Sequence, residues 1–459
     1  MTPTNPRRRR RAVAAVAALG LVVAACGSDD DDSDTGASTD PPAADTGSPG
    51  TAAPGGDGDD NDDGEQVTLR VSYVNDPIGA DTIAAFESAY PNIDIEATLV
   101  PFSDYVNTIT LNMASDSAPD IAQYNAGAMR TLIPAGELLN LNDYEASLGW
   151  ADAFPKSSLD VLRTDETAKR FGTDDLYAVP GGLSVTGIYY NKQIAADLGI
   201  ELPAASLGDL EAAFQTALDA GVTPVYVGGL DYNSIHWWAA LVNAMGSNAQ
   251  YQAWAYGDPA ATIVNDPARQ ATELFADWSA KGYIPSSAAG TSAADAAAEF
   301  TAGNSLLHLD GNWQASAFNE AMGDNVGFFL VPMADGSPAT VASGASVAWS
   351  VSARTDHPDE AVAFLDFMAS AEGAAAQVGS GFMAVNAAAA PEVAGVVGEI
   401  NTAFAVVAEN DGIMPFPDFP APALLELLTA GLQSVLAGQM DADTYLQSLQ
   451  DAWAAYVTN

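Results

Sequence analysis

The stretch Val67-Thr-Leu-Arg-Val-Ser-Tyr73 alternates apolar and polar residues as a β-strand does, and it opens the part of the chain that decides the fold. Residues 78–90 follow with apolar side chains at helical spacing, and Ile93-Asp-Ile-Glu-Ala97 alternates again. A strand, a helix and a second strand in succession predict parallel pairing, because a helix is the usual crossover between parallel strands. The sequence therefore predicts an α/β fold.

The same pattern continues with a predicted helix over 105–115, a strand over 120–124 and a helix over 128–135. In open sheets of this kind, ligands bind beyond the carboxyl ends of the strands. Candidate ligand-binding residues at these ends are Tyr73, Asn75, Asp76, Tyr124 and Asn125.

The second half of the chain mixes helices and strands without an internal repeat. An extended segment over 177–191 is interrupted by glycines, which can absorb the backbone changes of a hinge. Further helices are predicted over 192–198, 207–220, 234–280 with a break near Gly257, 312–322, 359–368, 422–436 and 441–456, and strands over 224–227, 326–331 and 346–351. A chain of 459 residues is too long for one hydrophobic core, so two lobes are expected.

The amino terminus has the pattern of an export signal. Arg7 to Arg11 are followed by an uncharged apolar stretch over 12–25 and then by Cys26, the single cysteine of the chain. The apolar stretch is too short for a membrane-spanning helix, which needs roughly 20 residues. We expect residues 1–25 to be a lipoprotein signal peptide and Cys26 to carry lipid, with general and twin-arginine export both open.

Residues 26–66 are rich in Asp, Gly, Ser, Thr and Pro, so they cannot bury enough apolar surface to offset the entropy of ordering. They are interpreted as a disordered acidic tether. A calcium loop starting at Asp57 is disfavoured, because Asp62 and Thr68 stand where an EF-hand needs Gly and Glu.

The chain is strongly acidic. It has 15 Lys and Arg residues against 60 Asp and Glu, a formal net charge of −45. Because nucleic-acid binding requires a basic surface that neutralises phosphates, nucleic acid is excluded as a partner. A polyanionic ligand is disfavoured for the same reason, whereas a cationic ligand stays open.

Blocks of sequence in a fixed order resemble one family. They include Ala118-Pro-Asp120, Tyr177-Ala-Val-Pro180, Ile188-Tyr-Tyr-Asn191, Gly311-Asn-Trp313 and Ile413-Met-Pro415. The chain from Val67 to Trp453 resembles the extracellular solute-binding proteins of ATP-binding-cassette importers, the family that includes maltose-binding protein.

The resemblance implies a two-lobed periplasmic-binding-protein-like fold with a ligand cleft between α/β lobes. One lobe is expected over 67–181 and 332–385, and the other over 182–331 and 386–459. The resemblance also implies a monomer that delivers its ligand to the transmembrane subunits of an importer, with no cofactor, no metal and no enzymatic activity.

A sugar site needs aromatic rings for stacking and carboxylate or amide groups for hydrogen bonds. By resemblance, Tyr73, Asn75 and Asp76 form a polar contact loop, Tyr124 and Trp313 are stacking residues, and Trp237 or Trp238 supplies a ring from the second lobe. Asp310 at a strand end and Trp349, near the second segment expected to cross between the lobes, complete the candidates. Two departures from the family pattern favour a sugar other than maltose. Ser184 replaces an acidic residue, and Phe416-Pro-Asp-Phe-Pro420 lacks a stacking tryptophan.

Other function classes stay open. An organic cation such as a polyamine would suit the many carboxylates beside aromatic rings, and a sensor subunit is compatible with the same fold. A secreted hydrolase lacks a nucleophile motif, because Gly344-Ala-Ser-Val-Ala348 ends without glycine. Paired carboxylates for glycoside cleavage stay possible. The histidines have no metal-ligand spacing, and ferric-ion capture by Tyr189 and Tyr190 is disfavoured since neighbouring strand residues point to opposite faces.

Overall fold

The computed structural model describes residues 66–74, 77–154, 156–246, 248–410 and 412–458. The expected signal peptide, Cys26 and the tether up to residue 65 lie outside the described residues, as do Asn75 and Asp76. The strands are β1 Val67–Val74, β2 Ile93–Val100, β3 Ile121–Tyr124, β4 Arg163–Thr164, β5 Asp175–Leu176, β6 Val179–Asn191, β7 Thr223–Val225, β8 Ser305–Gly311, β9 Val326–Phe329, β10 Ala342–Val351 and β11 Ile413–Met414.

The helices surround this sheet and connect its strands. They are α1 Pro77–Ala89, α2 Phe102–Met113, α3 Ala126–Met129, α4 Asn142–Leu148, α5 Trp150–Ala153, α6 Lys156–Asp160, α7 Lys192–Leu198, α8 Leu207–Asp219, α9 Tyr232–Ala244, α10 Asn248–Ala255, α11 Asp266–Ala280, α12 Ala293–Thr301, α13 Ala315–Met322, α14 Pro358–Phe367, α15 Ala371–Gly379, α16 Gly395–Glu409, α17 Leu424–Leu436 and α18 Ala442–Val457. None of these helices is both long enough and apolar enough to cross a bilayer.

The predicted strand, helix, strand unit at the start of the described chain is confirmed. β1 pairs in parallel with β2 along its whole length, and in parallel with β3 on its other edge. Alternate residues of β1 such as Leu69 and Val71 are buried while Thr68 and Arg70 are exposed, which is the period-2 pattern read from the sequence.

One mixed sheet runs through the described residues in the order β2-β1-β3-β10-β6-β8-β7. β6 changes partners along its length. Its first half is antiparallel to β10, with Ser184 opposite Ala345, and its second half is antiparallel to β8 and β9, with Ile188 opposite Leu309 and Phe329. A single strand therefore joins the two ends of the sheet.

Two large hydrophobic cores pack on this sheet. The first core cluster surrounds β1, β3 and α14 and continues through Tyr189 and Phe328 to α16. The second core cluster lies between α8, α9, α11, α17 and α18 and contains Trp237, Trp238 and Trp453.

Several predicted boundaries differ from the structure. The helix predicted over 128–135 is instead the short α3 followed by a 3-10 turn, Arg130–Leu132. Pro134 contributes to this, because proline has no backbone N–H to donate to the carbonyl of Arg130 and so cannot continue the helix. The sequence analysis also missed α15, which is rich in Ala and Gly, and α16, although Val396, Ile400 and Val407 recur there at helical spacing.

The pairing of β6 with β10 generates a testable prediction at Gly344. A Cβ at this position would collide with the backbone carbonyl oxygen of Ser184 on the neighbouring strand. We expect Gly344→Ala to lower the free energy of unfolding by about 1 to 3 kcal/mol, the usual cost of overpacking. Urea denaturation measures this.

Gly379→Ala is the matched control. Gly379 ends α15, and a Cβ there would contact nothing within 4 Å. We expect this change to be neutral or to stabilise by about 0.5 kcal/mol, because alanine is the better helix former. Equal stability of the two variants would contradict the tight β6–β10 contact.

Candidate functional site

Six rings meet at the carboxyl ends of strands that lie far apart in the sequence. This aromatic cluster consists of Phe102, Tyr232, His236, Trp313, Phe416 and Phe419. Phe102 begins α2 directly after β2, Trp313 lies in the turn directly after β8, and Phe416 follows β11. Tyr232 and His236 lie in the first turns of α9. The strands thus bring the rings to the edge where open α/β sheets bind ligands.

The rings of the cluster contact one another edge-on or at a tilt. Trp313 lies 5.4 Å from His236, 6.2 Å from Tyr232 and 6.2 Å from Phe416 between ring centroids. Phe102 reaches Tyr232 at 6.0 Å. Because Trp313, Tyr232 and Phe102 are only partly buried, part of the cluster is available for contact with a ligand.

His236 is the polar member of the cluster. Its side chain is almost fully buried between Tyr232, Trp313 and Phe416, and its Nδ1 has no hydrogen-bond partner among the described residues. Burial lowers the pKa of His236 to about 4, against the raising effect of Asp310. The imidazole is therefore neutral at pH 7, and its Nδ1 is buried as well as unpaired among the described residues.

Two carboxylates stand beside the rings. Asp418 lies between Phe416 and Phe419 in sequence and packs against Gly127, with its Oδ2 3.3 Å from where a Cβ at 127 would stand. Burial raises the pKa of Asp418 to about 6, although its own backbone N–H and Arg130 lower it. Asp231 precedes α9, accepts the Ala293 N–H at 3.0 Å and has a pKa raised by burial. The cluster therefore combines ring faces with hydrogen-bond acceptors.

Three of the residues predicted from the sequence lie in or beside this region. Trp313 is a member of the aromatic cluster. Tyr124 is buried near Arg130 and Tyr456, its hydroxyl has no hydrogen-bond partner among the described residues, and burial raises its pKa. Asn125 caps α3 by accepting the Ala128 N–H at 2.8 Å.

The predicted tryptophans Trp237, Trp238 and Trp349 lie elsewhere, which corrects the placement expected from the sequence. All three have no exposed surface. Trp237 and Trp238 belong to the second core cluster because α9 is covered on all sides over residues 233–244. Trp349 lies in the first core cluster, 5.2 Å from Phe364.

Tyr73 and Asp310 are also buried. The Tyr73 ring packs onto Gly79 of α1. The Asp310 carboxylate is fully buried, accepts hydrogen bonds from the Gly311 N–H at 2.8 Å and from Gln314 Nε2 at 3.2 Å, and lies 3.4 Å from His308 Nε2. Asp310 supports the turn that contains Trp313 and acts on the cluster through its charge, which opposes the lowering of the His236 pKa.

The sequence analysis missed Phe102, Tyr232, His236, Phe416 and Phe419. A signal existed for Phe102, which follows the predicted strand of β2 directly, as Tyr124 closes β3. The segment Phe416-Pro-Asp-Phe-Pro420 lacks a tryptophan, yet its two phenylalanines supply rings to the cluster. Among the described residues, no group of three His, Cys, Asp or Glu side chains is placed to hold a metal ion.

The fold of this chain is also found in solved structures of other proteins. Solved structures with this fold include a chitin oligosaccharide binding protein (21% identity, TM-score 0.73, covering 86% of this chain and 100% of that chain). Others are the GacH receptor of Streptomyces glaucescens (19%, TM-score 0.69, 86% and 100%) and the solute-binding protein RafE in complex with raffinose (20%, TM-score 0.65, 85% and 100%). The predicted two-lobed fold is confirmed.

Sequence comparison agrees with the structural comparison. The chain is 25% identical over 301 residues to the multiple sugar-binding protein of Streptococcus mutans, covering 63% of this chain and 67% of that protein. The model of the bacterial extracellular solute-binding protein family matches residues 81–402. The chain belongs to the bacterial extracellular solute-binding protein family.

Proposed function

We propose that this protein captures a saccharide outside the cell and delivers it to the membrane permease of an ATP-binding-cassette importer. The aromatic cluster is the observation that supports this most directly. Sugar rings have apolar C–H faces that stack on aromatic side chains and hydroxyl rims that need hydrogen-bond acceptors. Trp313 and Phe416 offer the faces, and the partly buried Asp418 offers an acceptor.

The names of the relatives support the same ligand class. They are described as binding multiple sugars, chitin oligosaccharide or raffinose. No relative named above is described as an enzyme, and no nucleophile motif occurs in this chain. We infer a binding protein that releases its ligand unchanged.

We further propose that the lobes correspond to residues 67–181 with 332–385 and 182–331 with 386–459. The change of partners along β6 supports a crossing near residue 186, between the half that pairs with β10 and the half that pairs with β8. Contacts from both lobes would give the ligand a higher affinity for the closed form than for the open form, and this difference would stabilise the closed form. The protein is proposed to act as a monomer.

An organic cation is the second candidate ligand, because Asp418 and Asp231 lie beside ring faces that could form cation–π contacts. Titration calorimetry with chitotriose, raffinose and maltotriose, each compared with spermidine, separates the two. We expect binding heat with at least one saccharide and none with spermidine. Heat with spermidine alone would overturn the saccharide proposal.

The role of Trp313 can be tested by truncation. We expect Trp313→Ala to weaken binding of the responding saccharide by about 1 to 3 kcal/mol, because a stacked ring is lost. Trp237→Phe is the matched control, since Trp237 is fully buried in the second core cluster. Its Kd should stay within about twofold of wild type, and an unchanged Kd in Trp313→Ala would remove Trp313 from the site.

The raised pKa of Asp418 predicts a pH effect on the free protein. Its folded pKa of about 6 lies above the ordinary value of 3.8, so the folded state holds more protons between these values. The carboxyl therefore contributes stability that is complete below pH 4 and is lost as the pH rises through 6.

Asp418→Asn removes this titration. We expect the difference in free energy of unfolding, variant minus wild type, to rise by up to about 2 kcal/mol between pH 4 and pH 7. Contributions from groups such as His236, which are present in both proteins, cancel in the difference. Urea denaturation at several pH values measures it, and a difference that is flat with pH would show that Asp418 titrates normally.

Membrane attachment is proposed to occur through lipid on Cys26, with residues 27–66 as the tether. We expect wild-type protein expressed in a bacterium with a lipoprotein pathway to incorporate labelled palmitate and to enter the detergent phase of Triton X-114. Cys26→Ser should do neither, because its hydroxyl is not a substrate for lipid transfer to sulfur. Equal labelling of both proteins would reject the anchor.

A further inference from the structure

One cationic side chain is buried next to the proposed ligand site. Arg130, at the start of the 3-10 turn after α3, has no exposed surface. Its Nη1 donates a hydrogen bond to the backbone carbonyl of Pro420, and its Nε has no hydrogen-bond partner among the described residues. Burial lowers its pKa to about 10, so it stays charged at pH 7.

Two aromatic rings enclose the guanidinium. Its central carbon lies 4.3 Å from the ring centroid of Phe171 and 5.3 Å from that of Tyr456. The Tyr456 hydroxyl in turn donates to the Ala168 carbonyl at 3.3 Å. Phe171 and Ala168 belong to the first core cluster, whereas Tyr456 lies at the end of α18 and packs on the second. Arg130 therefore joins segments from both cores.

The position of Pro420 links Arg130 to the ligand site. The segment 416–420 supplies Phe416 and Phe419 to the aromatic cluster and Asp418 to its edge, and its last carbonyl is held by Arg130. Burying a guanidinium costs several kcal/mol unless ring faces and acceptors are in place around it. The charge is therefore stable only when segment 416–420, Phe171 and Tyr456 are assembled together.

We propose that Arg130 is a positioning residue that ties segment 416–420 to the first core cluster and thereby slows release of the bound ligand. It acts through Phe416 and Asp418 rather than by touching the ligand. This proposal rests on the proposed function, because it takes the aromatic cluster as the ligand site. Lysine cannot replace the arginine, since a compact ammonium cannot lie flat between two rings and donate to Pro420 at the same time.

Stopped-flow fluorescence with the saccharide that responds in calorimetry tests the proposal in Arg130→Lys and Arg130→Met. We expect koff to rise roughly tenfold in both, with the association rate constant within about twofold of wild type. Arg130→Met keeps apolar packing between the rings and lacks the buried charge, so it folds even if Arg130→Lys does not. Arg354→Lys is the control, since Arg354 is half-exposed, pairs with Glu137 at 2.6 Å and should leave koff unchanged.

Leu449→Ala distinguishes a purely structural role of Arg130 from an effect on ligand release. This variant removes a fully buried side chain of α18. This variant should lower the melting temperature and leave koff unchanged. If the Arg130 variants behave in the same way, the proposal is overturned.

Hydrogen exchange of the ligand-free protein gives a readout that needs no saccharide. We expect the Arg130 variants, and not Arg354→Lys, to exchange faster in peptides covering 412–424 and 165–172 than wild type does. If no saccharide binds the wild-type protein, the proposed function fails. Hydrogen exchange still decides in that case whether Arg130 holds segment 416–420. Unchanged exchange in both peptides would overturn the proposal in either case.

Discussion

The backbone pairing of β6 is the constraint on which the rest of the structure depends. This strand is antiparallel to β10 up to Val185 and antiparallel to β8 and β9 from Thr186 onward, so its hydrogen bonds join the sheet of one half to the sheet of the other. Gly182 of β6 has a φ of +144°, a conformation that other residues rarely adopt, and the backbone carbonyl of Ser184 in β6 leaves Gly344 of β10 no room for a side chain. The close pairing of these two strands therefore depends on glycine at both positions.

The aromatic cluster follows from that arrangement. The rings that follow β2, β8 and β11 meet in one cluster, although β2 lies at one end of the sheet order and β8 near the other. No single strand or helix contains the site, so no local stretch of sequence encodes it. The rings combine with Asp418 and a neutral His236 in a protein of net charge −45, where cationic side chains are scarce. Arg130 carries one of these few positive charges, and its side chain is fully buried instead of being exposed to solvent.

The fold is shared with proteins that are only about one-fifth identical to this chain, such as the chitin oligosaccharide binding protein at 21% identity. Loops generally vary more among proteins of one fold than the helices and strands that they connect. The segment 416–420 illustrates this. It lacks the tryptophan expected from the family pattern, yet Phe416 and Phe419 place two rings in the same cluster through the turn after β11.

The sequence by itself determined the class of fold, because period-2 and helical spacing from Val67 onward reflect which face of each element is buried. It also determined the parallel start of the sheet, the export-signal pattern before Cys26, and Trp313 as a ring at a strand end. Only the tertiary structure decided which rings meet. The sequence predicts that one of Trp237 and Trp238 supplies a ring, but packing on every side of α9 buries both. Phe102 and Phe416 look ordinary in sequence and are brought into one cluster by strands more than 300 residues apart. Burial and proximity are properties of contacts between distant segments, so periodicity along the chain cannot specify them.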